Sequence, residues 1–407
     1  MEAIKYALPT NWIKYERADL FEELSDAKAA VLALKTIPFQ RRWVQEIQEL
    51  QLKMEVGGSS GIEGAEFAGD ELDEAMRAAD PTDLLTRSQK QANAMAKVYK
   101  WISGIPDDRP INEELICSIH RAAVTGCDDD HCSPGRIRES DHNITFGIPK
   151  HRGATGGEET ASALQKLTTQ ALTTFRGHDP LIQALAFHYH LAAIHPFGDG
   201  NGRTARVIEA LLLQRASLKD SLFVAMSNYY NEEKTTYLSS LAAVRAKGHD
   251  LTPFLKFGLK GIAIQSGRLT KLIKNQVSKE IFRNLMHELF ARLQSTRKRV
   301  IVRRQLMLLE KLLNTPGEIE LFQLAEVTKE DYKSRKMPID AYLRDVSRLW
   351  GLEAIHVHRE GTDTKNYKWY LSVNLDWPTT ITETEFFARL SRLPKSKMYG
   401  FLSSQGD

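Results

Sequence analysis

Residues 194–213 read IHPFGDGNGRTARVIEALLL, and both fold and chemistry turn on them. The apolar run before them, LIQALAFHYHLAAI at 181–194, predicts a buried helix that delivers His195. Pro196 and Phe197 then break and anchor the chain. Gly198, Gly200 and Gly202 leave backbone amides unobstructed around Asp199 and Asn201. Glycine permits the left-handed conformations that turn successive N–H groups inward, which makes an anion nest. The next helix is expected to begin at about Gly202, so its first amides and its dipole also favour phosphate. Arg203 and Arg206, three apart, share one face of that helix and can reach one polyphosphate. Asp199 offers an oxygen ligand of the kind Mg²⁺ takes alongside phosphates. His195 is the residue type whose ordinary pKa, about 6.5, suits a general base at neutral pH. A base, a metal carboxylate, a phosphate nest and two guanidinium groups are the parts that nucleotidyl transfer needs, because such transfer depends on positioning and charge neutralisation.

Outward from this segment, helical periodicity dominates. Trp43, Ile47, Leu50 and Met54 recur at three- and four-residue steps within 39–56, and Gly57-Gly58-Ser59-Ser60 is expected to stop that helix and cap another. Helices are also expected over 82–103, 112–125, 158–175, 180–194, 203–214, 231–246, 251–275 and 279–295. Residues 133–153, SPGRIRESDHNITFGIPKHRG, differ: turn residues punctuate two short stretches, 135–139 and 143–148, which reads as a β-hairpin flap. Beyond a basic run at 297–304, helices near 299–313, 319–326 and 338–350 precede a two-stranded ribbon, IHVHRE and NYKWYLSV. That order is the order of a winged helix. The expected organisation is an N-terminal helical region (1–89), a helical core (90–295), a small α+β winged-helix domain (296–380) and a tail (381–407).

The 194–206 segment resembles the signature of the Fic family, His-Pro-Phe-x-(Asp/Glu)-Gly-Asn-(Gly/Lys)-Arg, at every position, with Arg206 as the second arginine. The resemblance extends over roughly 90–260 and implies a mainly α Fic-type bundle with a flap. It implies transfer of AMP from ATP to a serine, threonine or tyrosine hydroxyl of a target protein or of the chain itself. His195 would deprotonate that hydroxyl and Asp199 would hold Mg²⁺. Asn201 and the amides of Gly198, Gly200 and Gly202 would grip the inner phosphates, and Arg203 and Arg206 the outer ones. Asn143, Ile144, Thr145, Phe146, Gly147 and Ile148 would form the flap that docks the target by strand addition. Tyr237 matches the first of a tyrosine pair near the base. Leu238 and Glu233 depart from the family pattern there, which leaves base specificity open.

Ser59, Glu63 and Gly64 resemble the family's inhibitory helix, Ser/Thr-x-x-x-Glu-Gly/Asn, about residues 59–67, in the class that carries inhibitor and enzyme on one chain. The implied mechanism is an ion pair between Glu63 and Arg206 that removes the arginine from the γ-phosphate site. The same glutamate, positioning water, would instead remove AMP from a modified target. A homodimer is plausible for this class.

The totals fit this picture. The 407 residues carry a net charge of only +3, so no global field demands nucleic acid, although Arg344, Arg348, Lys365 and Lys368 in the C-terminal domain leave DNA as a partner of that part. A DNA-binding regulator that senses nucleotide is the rival from another class. Asp340 and Asp345 weigh against it. Three cysteines, Cys117, Cys127 and Cys132, are too few and too odd for a disulfide framework, and the opening residues lack a secretory pattern, so a cytoplasmic setting is expected. No apolar run approaches a membrane span. Cys127–Cys132 fits no zinc spacing and is expected to be a surface loop, His188 and His190 read as packing or surface residues, and Tyr229 and Tyr230 read as helix packing rather than base stacking.

Overall fold

The computed structural model describes residues 4–37, 41–139, 144–147, 150–217, 224–293, 296–333, 337–361, 367–393 and 401. They fall into two units, Met1–Ile273 and Lys274–Asp407.

The helix that decides the first unit is α7 (Pro180–Ile194). Asp179 caps it by accepting from the Leu181 N–H at 3.0 Å, and Pro180 occupies the first turn, where no donor is missed. Only Pro180, Gln183 and Ala192 escape burial, so the helix is apolar on every face and runs through the core. Before it in the chain come α1 (Phe21–Thr36), α2 (Arg41–Ile62), α3 (Glu71–Arg77), α4 (Arg87–Ile102), α5 (Glu113–Val124) and α6 (Glu158–Leu172), of which α6 packs on it. After it come α8 (Asn201–Ser217), α9 (Met226–Glu232), α10 (Lys234–Ala246) and α11 (Thr252–Ala291). A Cβ at Gly258 of α11 would meet the Leu185 side chain at 2.6 Å, so glycine is what lets α11 close on α7.

Two expectations change here. Gly57-Gly58-Ser59-Ser60 does not stop a helix: α2 runs through it to Ile62. A Cβ at Gly58 would lie 2.5 Å from the Ser227–Asn228 backbone, and one at Gly61 would lie 2.6 Å from Asn231. These glycines serve the close approach of α2 to α9. The helix ends instead at Gly64, with φ +92°. The Gly64 N–H donates to the Gly61 carbonyl and the Ala65 N–H to the Ser60 carbonyl, both at 3.0 Å, which is a Schellman motif with Glu63 as its C-cap. The two helices expected at 251–275 and 279–295 are one, α11, since no glycine or proline lies between Arg268 and Ala291. The unit boundary accordingly falls within α11, earlier than the 296 expected.

The flap is also displaced. Its strands are β2 (Thr145–Phe146) and β3 (His151–Arg152), antiparallel, with Phe146 opposite His151. The stretch 135–139 is not a strand, because the Arg138 N–H donates to the Pro196 carbonyl at 2.9 Å and so ties it to the loop after α7. A third strand, β1 (Ile4–Lys5), joins parallel to the other side of β3, giving the order β1-β3-β2 with β2 at an edge. Asn143 and Ile148 lie outside the described residues.

The second unit comprises α12 (Thr296–Asn314), β4 (Ile319–Glu320), α13 (Leu321–Val327), α14 (Lys329–Tyr332), α15 (Pro338–Gly351), β5 (Ile355–Glu360), β6 (Lys368–Val373), α16 (Trp377–Thr380) and α17 (Glu383–Arg392). The expected ribbon pairs antiparallel from Ile355–Val373 to Glu360–Lys368, and β4 adds a strand that the sequence pattern missed, in the order β4-β6-β5. Residues 381–407, expected as a tail, open with α17. A Thr382–Glu385 capping box starts it, and it buries Phe386 against Trp377. Asp345, counted against nucleic acid, faces inward and accepts from Arg304, Gln305 and Tyr332. Lys365 lies outside the described residues. Among the described residues no helix is long and apolar enough to cross a membrane, and all three cysteines are free thiols.

Candidate active site

The site starts where α7 stops. His195 is its C-cap, held at φ 56° and ψ 59° in the left-handed region, which a non-glycine residue adopts only when its surroundings enforce it. Arg138 supplies the enforcement. Its guanidinium donates to the carbonyls of His195 (2.6 Å), Ala154 (2.5 Å) and Ile194 (3.4 Å), so the turn's acceptors are all met by one buried cation. Gly153 completes the seat, since a Cβ there would lie 2.8 Å from the His195 Cβ. Sequence reasoning found neither residue.

The imidazole is neutral and keeps one ring nitrogen open. Its Nδ1 faces the Ala192 carbonyl at 3.2 Å and must donate there, which leaves Nε2 as the free lone pair. Desolvation, opposed by that hydrogen bond and helped by Arg245 and Arg138, pushes its pKa down to about 3, so the ring is neutral at pH 7. Phe146 of the flap stacks on it, centroids 4.0 Å apart and planes 9° from parallel. The Arg245 guanidinium lies 4.3 Å from the Phe146 centroid. Of the remaining flap residues, Ile144 accepts from the Gly153 N–H at 3.2 Å, Thr145 lies in the edge strand, and Gly147 turns the chain at φ 74°.

The loop that follows is closed by its own side chains. Asn201 accepts from the Phe197 N–H and donates to the Phe197 carbonyl, both at 2.9 Å, and is 2% exposed. Its amide thus closes the loop on Phe197. Gly200 has φ 71°, and a Cβ there would meet Val124 at 2.6 Å. Phe197 stacks on His120 at 3.7 Å. The Nδ1 of His120 accepts from the Gly135 N–H at 2.9 Å, so its Nε2 donates to the Asp199 carbonyl at 3.0 Å and orients that loop from beneath. Burial pushes this imidazole down to about 4, which keeps it neutral.

Arg203 and Arg206, which share a helix in α8, have different partners. Arg203 donates to the buried Asp128 carboxylate at 2.5 Å and to the Ala123 carbonyl at 3.3 Å, with a looser approach to Asp199 at 3.7 Å. Asp128 also takes Arg87 at 2.6 Å and Gln91 at 2.9 Å. The 127–132 segment is thus no mere surface loop: its first aspartate is 1% exposed and fixes Arg203. Arg206 donates to the Ser59 hydroxyl at 3.0 Å, the Ser59 carbonyl at 3.4 Å and Glu63 at 2.8 Å. Burial works against its charge, yet Glu63 beside it holds its pKa above the ordinary arginine value. A cation at the end of α2 is also where the helix dipole favours one, and Lys234 meets the Gly61 carbonyl there at 3.1 Å. The residues expected to act together, Ser59, Glu63 and Arg206, are in contact, with Gly64 as the helix terminator and Gly202 packed 3.2 Å from the Glu63 carboxylate by the same Cβ test.

Tyr237 is not open to a base. It is 3% exposed, bonds His188 Nε2 through its hydroxyl at 2.9 Å, and stacks on Tyr230 at 4.5 Å. His188 is part of a buried chain that continues to Glu209 and from there to Tyr230. Asp199 is one-third exposed and is the carboxylate that faces the loop. Among the described residues no group of three or more His, Cys, Asp or Glu side chains gathers as a metal cage. Asp199, one-third exposed and paired with Arg87 at 2.8 Å, is the kind of single carboxylate that Mg²⁺ takes, with its other ligands drawn from phosphates and water. Gly198, 3.0 Å by the Cβ test from Cys132, keeps the loop close to the 127–132 turn.

Taken as chemistry, a neutral imidazole at the mouth of a glycine loop, with a helix N-terminus and two arginines behind it, defines a polyphosphate-handling site. Residues 110–213 match the Fic/DOC family. The protein adenylyltransferase fic-1 of Caenorhabditis elegans is 35% identical over 82 residues, 20% of this chain and 15% of that protein. The protein adenylyltransferase Fic of Nematostella vectensis is 27% identical over 218 residues, 51% of this chain and 40% of that one. The chain thus spans less than half the length of these curated relatives. In structure it is similar to a Fic family protein from Desulfovibrio desulfuricans G20, with a TM-score of 0.52 at 16% identity over 90% of this chain and 98% of that one. A fragment of Fic-1 from C. elegans gives 0.52 at 18% over 64% and 74%. These likenesses establish the Fic-type helical fold.

Proposed function

We propose that this protein is an adenylyltransferase that moves AMP from ATP to a hydroxyl of a protein, held down by Glu63. The observation that carries the proposal is the buried Arg206, bonded to Glu63 at 2.8 Å and to Ser59, beside the glycine loop and the neutral His195. In the reaction, the target hydroxyl enters at His195 and gives its proton to Nε2. The oxygen attacks the α-phosphorus, the bond from that phosphorus to the bridging oxygen breaks, and pyrophosphate leaves with the electron pair. The amides at Gly198 and Gly202 orient the inner phosphates, as an N-terminal helix nest does, joined by that of Gly200 once it leaves the Asp199 carboxylate, to which it donates at 2.6 Å. Asp199 would hold Mg²⁺, which supplies neutralisation of the phosphate charge when bound. Phe146 covers His195, so the target displaces that ring as it pairs with the free edge of β2.

Glu63 opposes this by claiming Arg206 before a γ-phosphate can. An α-phosphate placed without that arginine is out of line, and a misplacement of ~1 Å costs on the order of 100-fold. The element order of the second unit supports reading it as a winged helix. The test of the catalytic reading is label transfer from α-³²P-ATP. In a Glu63→Gly background, His195→Ala is expected to remove transfer by about 10²–10⁴-fold while circular dichroism is unchanged. Undiminished transfer overturns the assignment of His195 as base.

A further inference from the structure

Arg87 was not singled out by the sequence, yet it closes a ring of four charges at the site. Its Nε and Nη2 reach Asp128 at 2.6 and 2.5 Å, and the same Nη2 reaches Asp199 at 2.8 Å. Arg203 completes the circuit, 2.5 Å from Asp128 and 3.7 Å from Asp199. The formal charges cancel.

Two features make this ring more than surface pairing. Arg87 is the first residue of α4, after the Thr86 cap, and a cation at a helix N-terminus opposes the helix dipole. It is held there by carboxylates, one of them fully buried. Asp199 is also the accessible carboxylate suited to a cation in the proposed reaction, and Arg87 occupies it with a charge of the same sign. The partners of Arg87 are unequal: the Asp128 side chain is 0% exposed and keeps Arg203 and Gln91, whereas Asp199 is 34% exposed. The Asp199 contact is the one that a competitor from solvent can take.

We propose that Arg87 is a placeholder for the divalent cation on Asp199: it balances the carboxylate while the site lacks nucleotide, and Mg²⁺ entering with the polyphosphate displaces it while its hold on Asp128 persists. The inference rests on the proposed function and assigns Arg87 a positioning role, setting how much Mg²⁺ the site needs.

The test is the Mg²⁺ dependence of binding, without turnover. In the full chain carrying Glu63→Gly, a non-hydrolysable ATP analogue is titrated at a series of Mg²⁺ concentrations by calorimetry, with and without Arg87→Gln. Removing the competitor is expected to lower the half-saturating Mg²⁺ by about two- to fivefold, the range for one half-exposed ion pair. Binding in EDTA is expected to be no tighter. If Arg87→Gln does not fold, Arg87→Lys replaces it: an amine keeps a charge on the buried Asp128 but lacks the fork that bridges to Asp199, and gives a smaller fall in the same direction. An unchanged or raised Mg²⁺ requirement overturns the placeholder role alone. Absence of any Mg²⁺-dependent binding in the Glu63→Gly parent overturns the proposed function itself.

Discussion

Replacing Glu63 by glycine separates two effects of one contact. Arg206 is almost wholly buried and keeps Ser59 as a neutral partner when Glu63 is lost. Breaking a fully buried ion pair costs about 3–5 kcal/mol. The Glu63 side chain is 37% exposed, so solvent screens the pair and about 1–2 kcal/mol is the appropriate loss. For a unit of this size that is a fall in Tm of roughly 2–8 °C without ligand. The same carboxylate competes with a γ-phosphate for Arg206. A hydrogen bond to a charged group is worth about 1.5–3 kcal/mol, so its removal is expected to raise the initial rate of AMP transfer by ~10–100-fold. The assay pairs differential scanning fluorimetry, with and without Mg²⁺ and an ATP analogue, with label transfer on the same samples. Glu63→Gly is expected to be the less stable protein alone and the more strongly stabilised by the analogue, because the polyphosphate replaces the lost counter-ion. Equal stabilisation of both proteins, with rates within twofold, refutes the competition.

Two further outcomes follow from the core. His120 and His190 are both fully buried, with pKa values pushed by desolvation to about 4 and about 3, below the unfolded value. Their contribution is therefore intact above about pH 6.5 and is lost as pH falls towards those folded values, by up to ~1.4 kcal/mol per pH unit for each ring. Urea midpoints at pH 7 and pH 5 check this, and replacing His190 by Gln should flatten the difference. Gly58→Ala places a Cβ 2.5 Å from the α9 backbone and is expected to cost about 1–3 kcal/mol, while the loosened end of α2 raises basal transfer. Calorimetry and the label assay measure the two parts.

The residues at 194–206 were legible because their chemistry is contiguous: the loop, the helix start and the imidazole are neighbours in the chain. The pairing of Glu63 with Arg206 was also reachable, through resemblance. Gly57 and Gly58 read as a helix stop because a glycine that admits a close neighbour looks, in one dimension, the same as one that ends a helix. Only the neighbour, Leu72 for the first and the Ser227–Asn228 backbone for the second, distinguishes them. Asn201 and Tyr237 are legible as site residues, whereas their partners, Phe197 and His188, show only in three dimensions. Arg87, His120, Asp128 and Arg138 escaped notice since their partners lie 41 to 112 positions away in the contacts that matter. Asp128 did leave a trace, the acidic run at 128–130, which a search for metal ligands discarded.

The placement of Glu63 on a helix C-cap has a practical consequence. Helix ends fray, so the carboxylate can leave Arg206 by unwinding the last turn, with the Gly64 and Ala65 amide bonds as the first to open, while Glu55 two turns earlier stays bonded to Tyr99 and Ser227. Opening that last turn would free Arg206 without dislodging the helix that bears the carboxylate.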